Sequence, residues 1–378
     1  MRVVHVTSVH PATDTRILYK ECATLAAAGH EVHLVAPGQS GQDVELQGVQ
    51  VHYVRHGSSR LQRMVVVGAQ AMSSALALRP DILHLHDPEL LLHAPWARMR
   101  CRRVIFDMHE DLPKSLRTKH WIAKPLRVGA SVVAAFMERL LLSGMEVVYA
   151  EDSYSAARPW IRNFITLHNM PIVAALAQYD RQCTQPPSLG YIGSITPSRG
   201  CLTTLEVLGE LQSRGIAVAH DCVGDASPEV QAQMSRLIEG LKLTNVRLHG
   251  YQPADAGYRI IAGTTIGLAI LHPEPNYLES YPTKMFEYMA MGIPVIVSNF
   301  PLYRHIVDET GAGVSVDPLD IKGIADTIEK LLSDTDRLAR MGENGRLAVA
   351  RSYSWEHEST HLLRMYDGGQ RRETAVPR

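Results

Sequence analysis

Short apolar runs alternate with helix-length amphipathic segments along the first half of the chain. This alternation is typical of a parallel β-sheet, because each parallel connection needs a crossover helix to return the chain to the same edge. Asp14–Ala28 has the pattern of the first such helix, and Gly29 is placed to end it. The predicted strands of this half are Val3–Thr7, Glu31–Ala36, Ile82–His86, Val104–Met108 and Glu146–Ala150.

The pattern stops at Ala174–Ser188, which loses its periodicity and ends next to two prolines, so we expect a linker there. The alternation then restarts. Two tandem α/β units of similar size favour an α/β fold of two Rossmann-like domains facing a cleft, with ligands beyond the carboxyl ends of the strands. The predicted strands of the second half are Ser188–Ile192, Ala217–Val223, Val246–His249, Ile266–Leu271, Pro294–Ser298 and Gly313–Val316. The predicted helices between them include Leu202–Arg214, Glu229–Leu241 and Thr283–Met291.

These boundaries predict domains at residues 1–178 and 188–352, a helix at 353–366 and a disordered tail at 367–378. The composition agrees with two soluble domains, since 46% of the 378 residues are hydrophobic and 20% are charged. The net charge of −1 gives no indication of nucleic-acid binding, and no nucleic-acid partner is expected. Five cysteines without paired spacing predict reduced thiols in a cytoplasmic protein.

No membrane-spanning or signal segment is expected from the sequence. The chain begins directly as a strand, and the most apolar stretch, Val128–Met137, is too short to cross a bilayer. Arg98–Arg127 carries nine Lys/Arg against three Asp/Glu. This basic segment is interpreted either as a solvated face or as a peripheral contact with an anionic membrane surface, to which Trp121 and the following apolar helix would add.

The densest chemical signal is the stretch from Glu279 to Glu287. Pro282 suits the start of a helix, whose first N–H groups and partial positive charge bind phosphate well. Thr283 adds a hydroxyl donor, and Lys284 adds a cation. At about 1.5 Å per residue, Glu287 lies roughly 7–8 Å along the helix from Pro282, which is the offset between a diphosphate and the ribose of one nucleotide. A carboxylate there can accept hydrogen bonds from both ribose hydroxyls.

This stretch resembles the Glu-x7-Glu motif of the family-four retaining glycosyltransferases, which have the GT-B fold. Its form, Ser-Tyr-Pro-Thr-Lys-Met-Phe-Glu-Tyr-Met-Ala, is similar to that of the branch acting in bacterial polysaccharide synthesis. The resemblance extends over nearly the whole chain. The other matching segments are Thr7–His10 with Gly29–Val32, Asp81–Asp87, Asp107–Glu110, Leu189–Ser194 with Arg199-Gly200, and Ser354-Trp-Glu.

The resemblance implies an N-terminal acceptor domain, a C-terminal nucleotide-sugar domain and a final helix that crosses back onto the N-terminal domain. It implies that Glu287 binds the ribose, that Glu279 faces the donor sugar and its phosphate, and that Arg199 pairs with the diphosphate. Ser194 departs from the family, which usually has arginine there, so Lys284 or Arg16 would compensate. The remaining donor-side candidates are Tyr281, Pro282, Thr283 and Gly193.

Candidates in the first half follow predicted strands or begin the first helix. His109 comes just after a buried strand, and by resemblance it touches the donor sugar or positions the acceptor. Asp14 is either a helix N-cap or a ligand residue. Arg16 is expected to face the donor phosphates or the acceptor. Glu110 and Asp87 are acceptor-side candidates, with a strand-end capping role as the alternative for Asp87.

The expected reaction moves a hexose or N-acetylhexosamine from a nucleoside-diphosphate sugar to a saccharide or lipid-linked saccharide acceptor. His109, Glu279 and Arg199 are the expected catalytic residues. No cofactor and no bound metal are expected, since no cluster of metal ligands stands out in the sequence and cationic groups with a helix N-terminus can stabilise the departing diphosphate. The family alone implies retention. Two alternatives stay open: a nucleotide-sugar 2-epimerase of the same architecture and a non-catalytic nucleotide-sugar binder.

Overall fold

The computed structural model describes residues 1–38, 43–57, 59–117, 122–179, 181 and 186–368. The chain forms two compact units: Met1–Asn169 together with Glu358 onward, and Met170–His357. The first boundary therefore falls before the predicted linker, parts of which lie outside the described residues. The predicted tail is described only at Asp367 and Gly368.

The first unit is built on an eight-stranded sheet with the order β3-β4-β2-β1-β5-β6-β7-β8. All its neighbouring strands are parallel except β3 and β4, which are antiparallel. The central strands are buried and mostly β-branched or aliphatic, because helices cover a parallel sheet on both faces; the exceptions include His5 on β1 and His84 on β5. The strands are β1 Arg2–Val6, β2 Glu31–Pro37, β3 Val44–Leu46, β4 Val49–Val54, β5 Ile82–Leu85, β6 Arg103–Met108, β7 Glu146–Tyr149 and β8 Phe164–Thr166.

The first predicted helix is present, but it opens as a π-type helix over Thr15–Cys22 before continuing as an α-helix. A second π-type turn at Arg63–Val67 and a 3-10 helix at Pro88–His93 also interrupt the α-helices of this unit. The α-helices are α1 Ala23–Ala27, α2 Arg60–Gln62, α3 Gly68–Ala77, α4 Ala94–Arg100, α5 Leu112–Leu116, α6 Lys124–Leu141 and α7 Ser153–Ala157.

The second unit has a six-stranded, all-parallel sheet with the order β11-β10-β9-β12-β13-β14. Its strands are β9 Ser188–Ile192, β10 Ala219–Val223, β11 Val246–Gly250, β12 Ile266–Ala269, β13 Val295–Ser298 and β14 Gly313–Val316. Its helices are α8 Val173–Leu176, the 3-10 helix Pro197–Arg199, α9 Cys201–Ser213, α10 Pro228–Leu241, α11 Ala254–Ala262, α12 Thr283–Ala290, α13 Pro301–Thr310, α14 Ile321–Leu332 and α15 Thr335–Ser352.

The last helix, α16 Trp355–Tyr366, carries the chain from the second unit into the first. Within the first unit the Tyr366 hydroxyl lies 2.7 Å from Nδ1 of His84, and the carbonyl of Met365 accepts a hydrogen bond from Arg103. These contacts tie the end of the chain to strands β5 and β6. Among the described helices, none is long and apolar enough to cross a membrane.

Candidate active site

Helix α12 begins where the sequence predicts. Pro282 is buried and adopts an extended backbone before the helix, so the first turn starts at Thr283. The first N–H groups of a helix have no acceptor within it, and together with the helix dipole they favour an anion at this end. Gly292, with φ of 72°, follows the helix at its other end, where a left-handed residue stops the chain from continuing helically.

Lys284 occupies an unusual environment in the first turn of α12. Its ammonium nitrogen is buried, has no hydrogen-bond partner among the described residues, and sits 3.8 Å from the centre of the Tyr191 ring. Burial and the nearby charge of Arg199 lower the pKa of Lys284 to about 7. A buried cation without a counter-ion is costly. An anion bound beside this ammonium would supply a hydrogen-bond partner for it.

Arg199 and the turn after β9 complete this cationic end. Gly193 has a φ of 123°, which a residue with a side chain rarely adopts. A Cβ atom at Gly193 would lie 3.5 Å from Nζ of Lys284 and 3.8 Å from Nη1 of Arg199. The guanidinium of Arg199 also lies 5.9 Å from the centre of the Tyr277 ring. Two cations therefore converge on a turn that has no side chain, which leaves its backbone accessible to a phosphate.

Glu287 lies three residues after Lys284 on α12 and is partly buried. Its Oε1 accepts a hydrogen bond of 2.8 Å from the Tyr258 hydroxyl. Burial and the charge of Glu287 raise the pKa of Tyr258, so that hydroxyl stays protonated and keeps donating. This hydrogen bond helps to hold the carboxylate in one orientation.

The other donor-side candidates are less well defined by contacts. Glu279 is exposed in the loop before α12, and Ser194 is exposed in the turn after β9. Tyr281 is partly buried, with its ring 6.1 Å from that of Phe286. The structure thus brings Lys284, Arg199 and Gly193 together, while Glu279 is exposed in the loop that precedes α12.

In the first unit, Asp107 is the centre of a buried network at the end of β6. Arg16 donates to both oxygens of Asp107, at 3.0 and 2.9 Å, and to the carbonyl of Leu167 at 2.8 Å. Burial opposes ionisation of Asp107, but Arg16 and His109 outweigh it and hold its pKa well below the usual range. Arg16 was expected to face phosphates or an acceptor. Its three nitrogens are instead engaged inside this unit.

His109 is partly exposed beside the network, and its Nε2 lies 2.9 Å from Oδ2 of Asp107. The bond orients the imidazole at the end of the strand, where cleft-facing residues were expected. The ring of His10 lies 5.2 Å from that of His109. His109 is therefore a positioned side chain with some solvent access, as a substrate-contacting histidine requires.

The two aspartates of the first unit have structural partners. Asp14 caps the first helix by accepting from the backbone N–H groups of Arg16 and Ile17. Burial disfavours its charge, but His10 and these bonds lower its pKa to about 2. Asp87 is buried and accepts from Thr7 and Ser8 at 2.8 and 2.6 Å. These hydrogen bonds favour a helix-capping role for Asp14 and a strand-end capping role for Asp87. Glu110, the other acceptor-side candidate, is exposed and accepts from Ser115.

Two family models match the two halves of the chain. "Glycosyltransferase Family 4" matches residues 15–159, and "Glycosyl transferases group 1" matches residues 181–348. The chain is a family 4 glycosyltransferase. It is 22% identical to glycogen synthase from Mycobacterium tuberculosis over 99% of this chain and 96% of the relative. It is 25% identical to phosphatidyl-myo-inositol mannosyltransferase from Mycobacterium leprae over 91% and 89%.

Solved structures that resemble this glycosyltransferase have the GT-B fold that the sequence predicts. The structure of Anabaena HepE in complex with UDP and glucose superposes with a TM-score of 0.72 at 14% identity, covering 97% of this chain and all of that one. The prediction of two Rossmann-like units of the GT-B type is confirmed. The transferase assignment is confirmed as well, with a nucleotide sugar as the donor.

Three tyrosines beside Lys284, Arg199 and Glu287 of the glycosyltransferase are not predicted by the sequence. Tyr191 lies on β9 two residues before Gly193, so the strand alternation could have placed it on the same side as the turn. Tyr258 and Tyr277 come from α11 and from the loop before α12, and no local pattern marks them. Their positions depend on contacts between segments far apart in the chain.

The first unit contains a cluster of metal-ligand residue types that no motif in the sequence marks. His5, Glu21, His84 and His86 each place one donor atom within 4.8 Å of the others, and all four are buried. The cluster is invisible in the sequence because its members come from β1, the first helix, β5 and the residue following β5.

Proposed function

We propose that this glycosyltransferase moves a hexose or N-acetylhexosamine, with retention of configuration, from a nucleoside-diphosphate sugar to a saccharide acceptor in glycan synthesis. The observation that carries the donor side is the buried ammonium of Lys284, which lies beside Arg199 and Gly193 and three residues before Glu287. This spacing suits a diphosphate at the helix start and a ribose one turn further on.

In the proposed reaction an acceptor hydroxyl attacks the anomeric carbon on the face from which the diphosphate departs. The bond between that carbon and the phosphate oxygen breaks, and the departing phosphate takes the hydroxyl proton. Negative charge grows on the diphosphate, and Lys284, Arg199 and the start of α12 stabilise it. Glu279 is proposed to face the donor sugar. His109, held by Asp107, is proposed to contact the sugar substrates.

The activity is tested by incubating the protein with UDP- and GDP-sugars, with and without a panel of saccharide acceptors. The solved relative with UDP and glucose makes UDP-glucose the first donor to try. Acceptor-dependent release of nucleoside diphosphate with an α-linked product from an α-linked donor supports the proposal. Epimerised donor without acceptor would favour the 2-epimerase, and tight binding with no release would favour the non-catalytic binder.

Glu287→Ala is expected to weaken donor binding by about 10- to 100-fold, because one or two hydrogen bonds to a charged group are lost. The loss should appear in KM for the nucleotide sugar and in its dissociation constant. Glu309→Ala is the matched control, since Glu309 is an exposed glutamate on α13. Equal donor affinity in both variants would remove Glu287 from the ribose site.

We propose further that the acceptor is lipid-linked and that the protein docks on an anionic membrane through α6. Apolar side chains of this helix are 59–66% exposed, and Lys124 and Arg139 are exposed on the same helix. An exposed apolar face with flanking cations suits the boundary between lipid headgroups and acyl chains. The exposed apolar residues are Leu126, Val128, Val132, Val133, Phe136 and Leu140. One relative, phosphatidyl-myo-inositol mannosyltransferase, has a lipid in its name as the acceptor.

The double variant Val132→Ser with Phe136→Ser is expected to lower co-sedimentation with phosphatidylglycerol vesicles at least about tenfold, because two apolar side chains no longer enter the interface. Leu319→Ser with Leu347→Ser is the matched control, because both leucines are exposed in the second unit. Wild-type protein that does not co-sediment with the vesicles would exclude membrane docking through α6. Wild-type dimers that are lost in the α6 variant would instead show that a second copy of the chain covers this helix.

A further inference from the structure

A group of three histidines lies on one face of the central sheet of the first unit. His5 on β1 pairs in register with His84 on β5, and His86 follows two residues later on the same face. The three rings are buried, with centroids 4.6–5.1 Å apart. Glu21 is also fully buried and completes the group. Burying four polar side chains together costs free energy unless hydrogen bonds or a bound ion satisfy their polar atoms.

The outer nitrogens of the three rings face acceptor oxygens. Nδ1 of His84 and Nε2 of His5 lie 2.7 and 3.5 Å from the Tyr366 hydroxyl. Nδ1 of His86 lies 3.4 Å from the Asp107 carboxylate. Histidines that bind metals characteristically donate their other N–H to a carboxylate or another oxygen, which fixes the tautomer and aims the lone pair at the metal.

Among the described residues, the remaining ligand atoms of His84 and Glu21 have no hydrogen bond, whereas those of His5 and His86 are hydrogen-bonded to each other. Nε2 of His84 has no hydrogen-bond partner among the described residues. The oxygens of Glu21 receive no hydrogen bond there, although Oε1 forms an ion pair with Nε of Arg16 at 3.0 Å. Nδ1 of His5 and Nε2 of His86 are 2.8 Å apart. Two nitrogens on one tetrahedral zinc ion are about 3.4 Å apart, so a small outward movement would let both bind the same ion.

We propose that His5, His84, His86 and Glu21 form a buried zinc site. Three imidazoles and one carboxylate match the donor types of four-coordinate zinc. The cation would satisfy the orphaned nitrogen of His84 and replace the hydrogen bond between His5 and His86. Because Asp107 contacts both His86 and His109, the ion would brace the sheet beneath His109. The role is structural and goes beyond the transfer reaction, in which the ion takes no part.

The test is zinc retention by the full chain without a polyhistidine tag. Protein stripped with EDTA, loaded with zinc sulfate and desalted is expected to hold about one zinc per chain by mass spectrometry. His84→Gln is expected to lose at least nine-tenths of it. Tyr366→Phe, which removes an outer partner, is expected to bind zinc about tenfold more weakly. His220→Gln is the matched control, since His220 is equally buried in the second unit but bonded to a backbone carbonyl.

Wild-type protein without retained zinc, or a His84→Gln variant that retains as much as wild type, overturns the site. If the His84 variant does not fold, cobalt loading of wild-type protein decides the matter. Intense visible d–d absorption typical of four-coordinate cobalt supports the site, and its absence overturns it. Neither result depends on transferase activity, so this proposal and the proposed function can fail separately.

Discussion

Replacing Lys284 with methionine is expected to lower transfer from the nucleotide sugar at least about a hundredfold while making the free protein more stable. The loss of activity follows because a preorganised cation at a developing negative charge is typically worth 10²–10³ in rate. The gain in stability follows because the variant no longer buries an ammonium group that lacks a hydrogen-bond partner. We expect about 1–3 kcal/mol, or a few degrees in melting temperature.

The protonation of Lys284 should make both the folding stability and the donor affinity of the wild-type protein depend on pH. The pKa of Lys284 is about 7 in the folded protein, against an ordinary value of 10.5. Between these values the unfolded chain binds more protons than the folded one, so the stability of the wild-type protein rises with pH across this window. The methionine variant lacks that rise. Affinity for a nucleotide sugar should fall above pH 7 in the wild-type protein, as the ammonium loses its proton.

Calorimetry at pH 6.5 and 9 and donor titrations at the same values measure both effects. Lys330→Met is the matched control, because Lys330 is exposed on α14. A Lys284 variant that keeps full turnover, or that loses stability like a core substitution, would contradict the assignment of Lys284 to the donor phosphates.

Replacing Arg16 with methionine is expected to cost about 3–5 kcal/mol of folding stability in the first unit, the largest stability change expected of any substitution considered. Removing one partner of a buried ion pair leaves the other charge uncompensated. Here the charge left behind is Asp107, which also orients His109. Activity should therefore fall even at temperatures where the variant remains folded.

Urea unfolding of the full chain, followed separately for its two units by hydrogen exchange, measures the loss. Arg2→Met is the control, because Arg2 forms an exposed ion pair with Glu31 and should cost less than about 1 kcal/mol. Arg16→Met combined with Asp107→Asn should recover part of the stability, since the double variant no longer buries the Asp107 charge without its partner. An Arg16 variant as stable as the Arg2 variant would return Arg16 to the ligand-binding role that the sequence favoured.

Much of the fold was predictable from the sequence, because short apolar runs and helical patterns are local. The strands of the second unit and the start of α12 lie close to where these patterns place them. The apolar runs do not predict β3, β4 and β8. The strands β3 and β8 are three residues long; β3 is mostly exposed and β8 is partly buried, so their apolar signal is weak. The π-type opening of the first helix is likewise invisible in a pattern read at 3.6 residues per turn.

The stretch from Pro282 to Glu287 could be interpreted without a structure, because a proline-initiated helix fixes the spacing between its own residues. The roles of residues whose partners are distant in the chain became clear only from the folded structure. Arg16 meets Asp107 across 91 positions, and Tyr258 reaches Glu287 from another helix. His5 and His84 become neighbours only when β1 pairs with β5. Charges and hydrogen bonds act over a few ångströms in space, and separation along the chain does not reveal those distances.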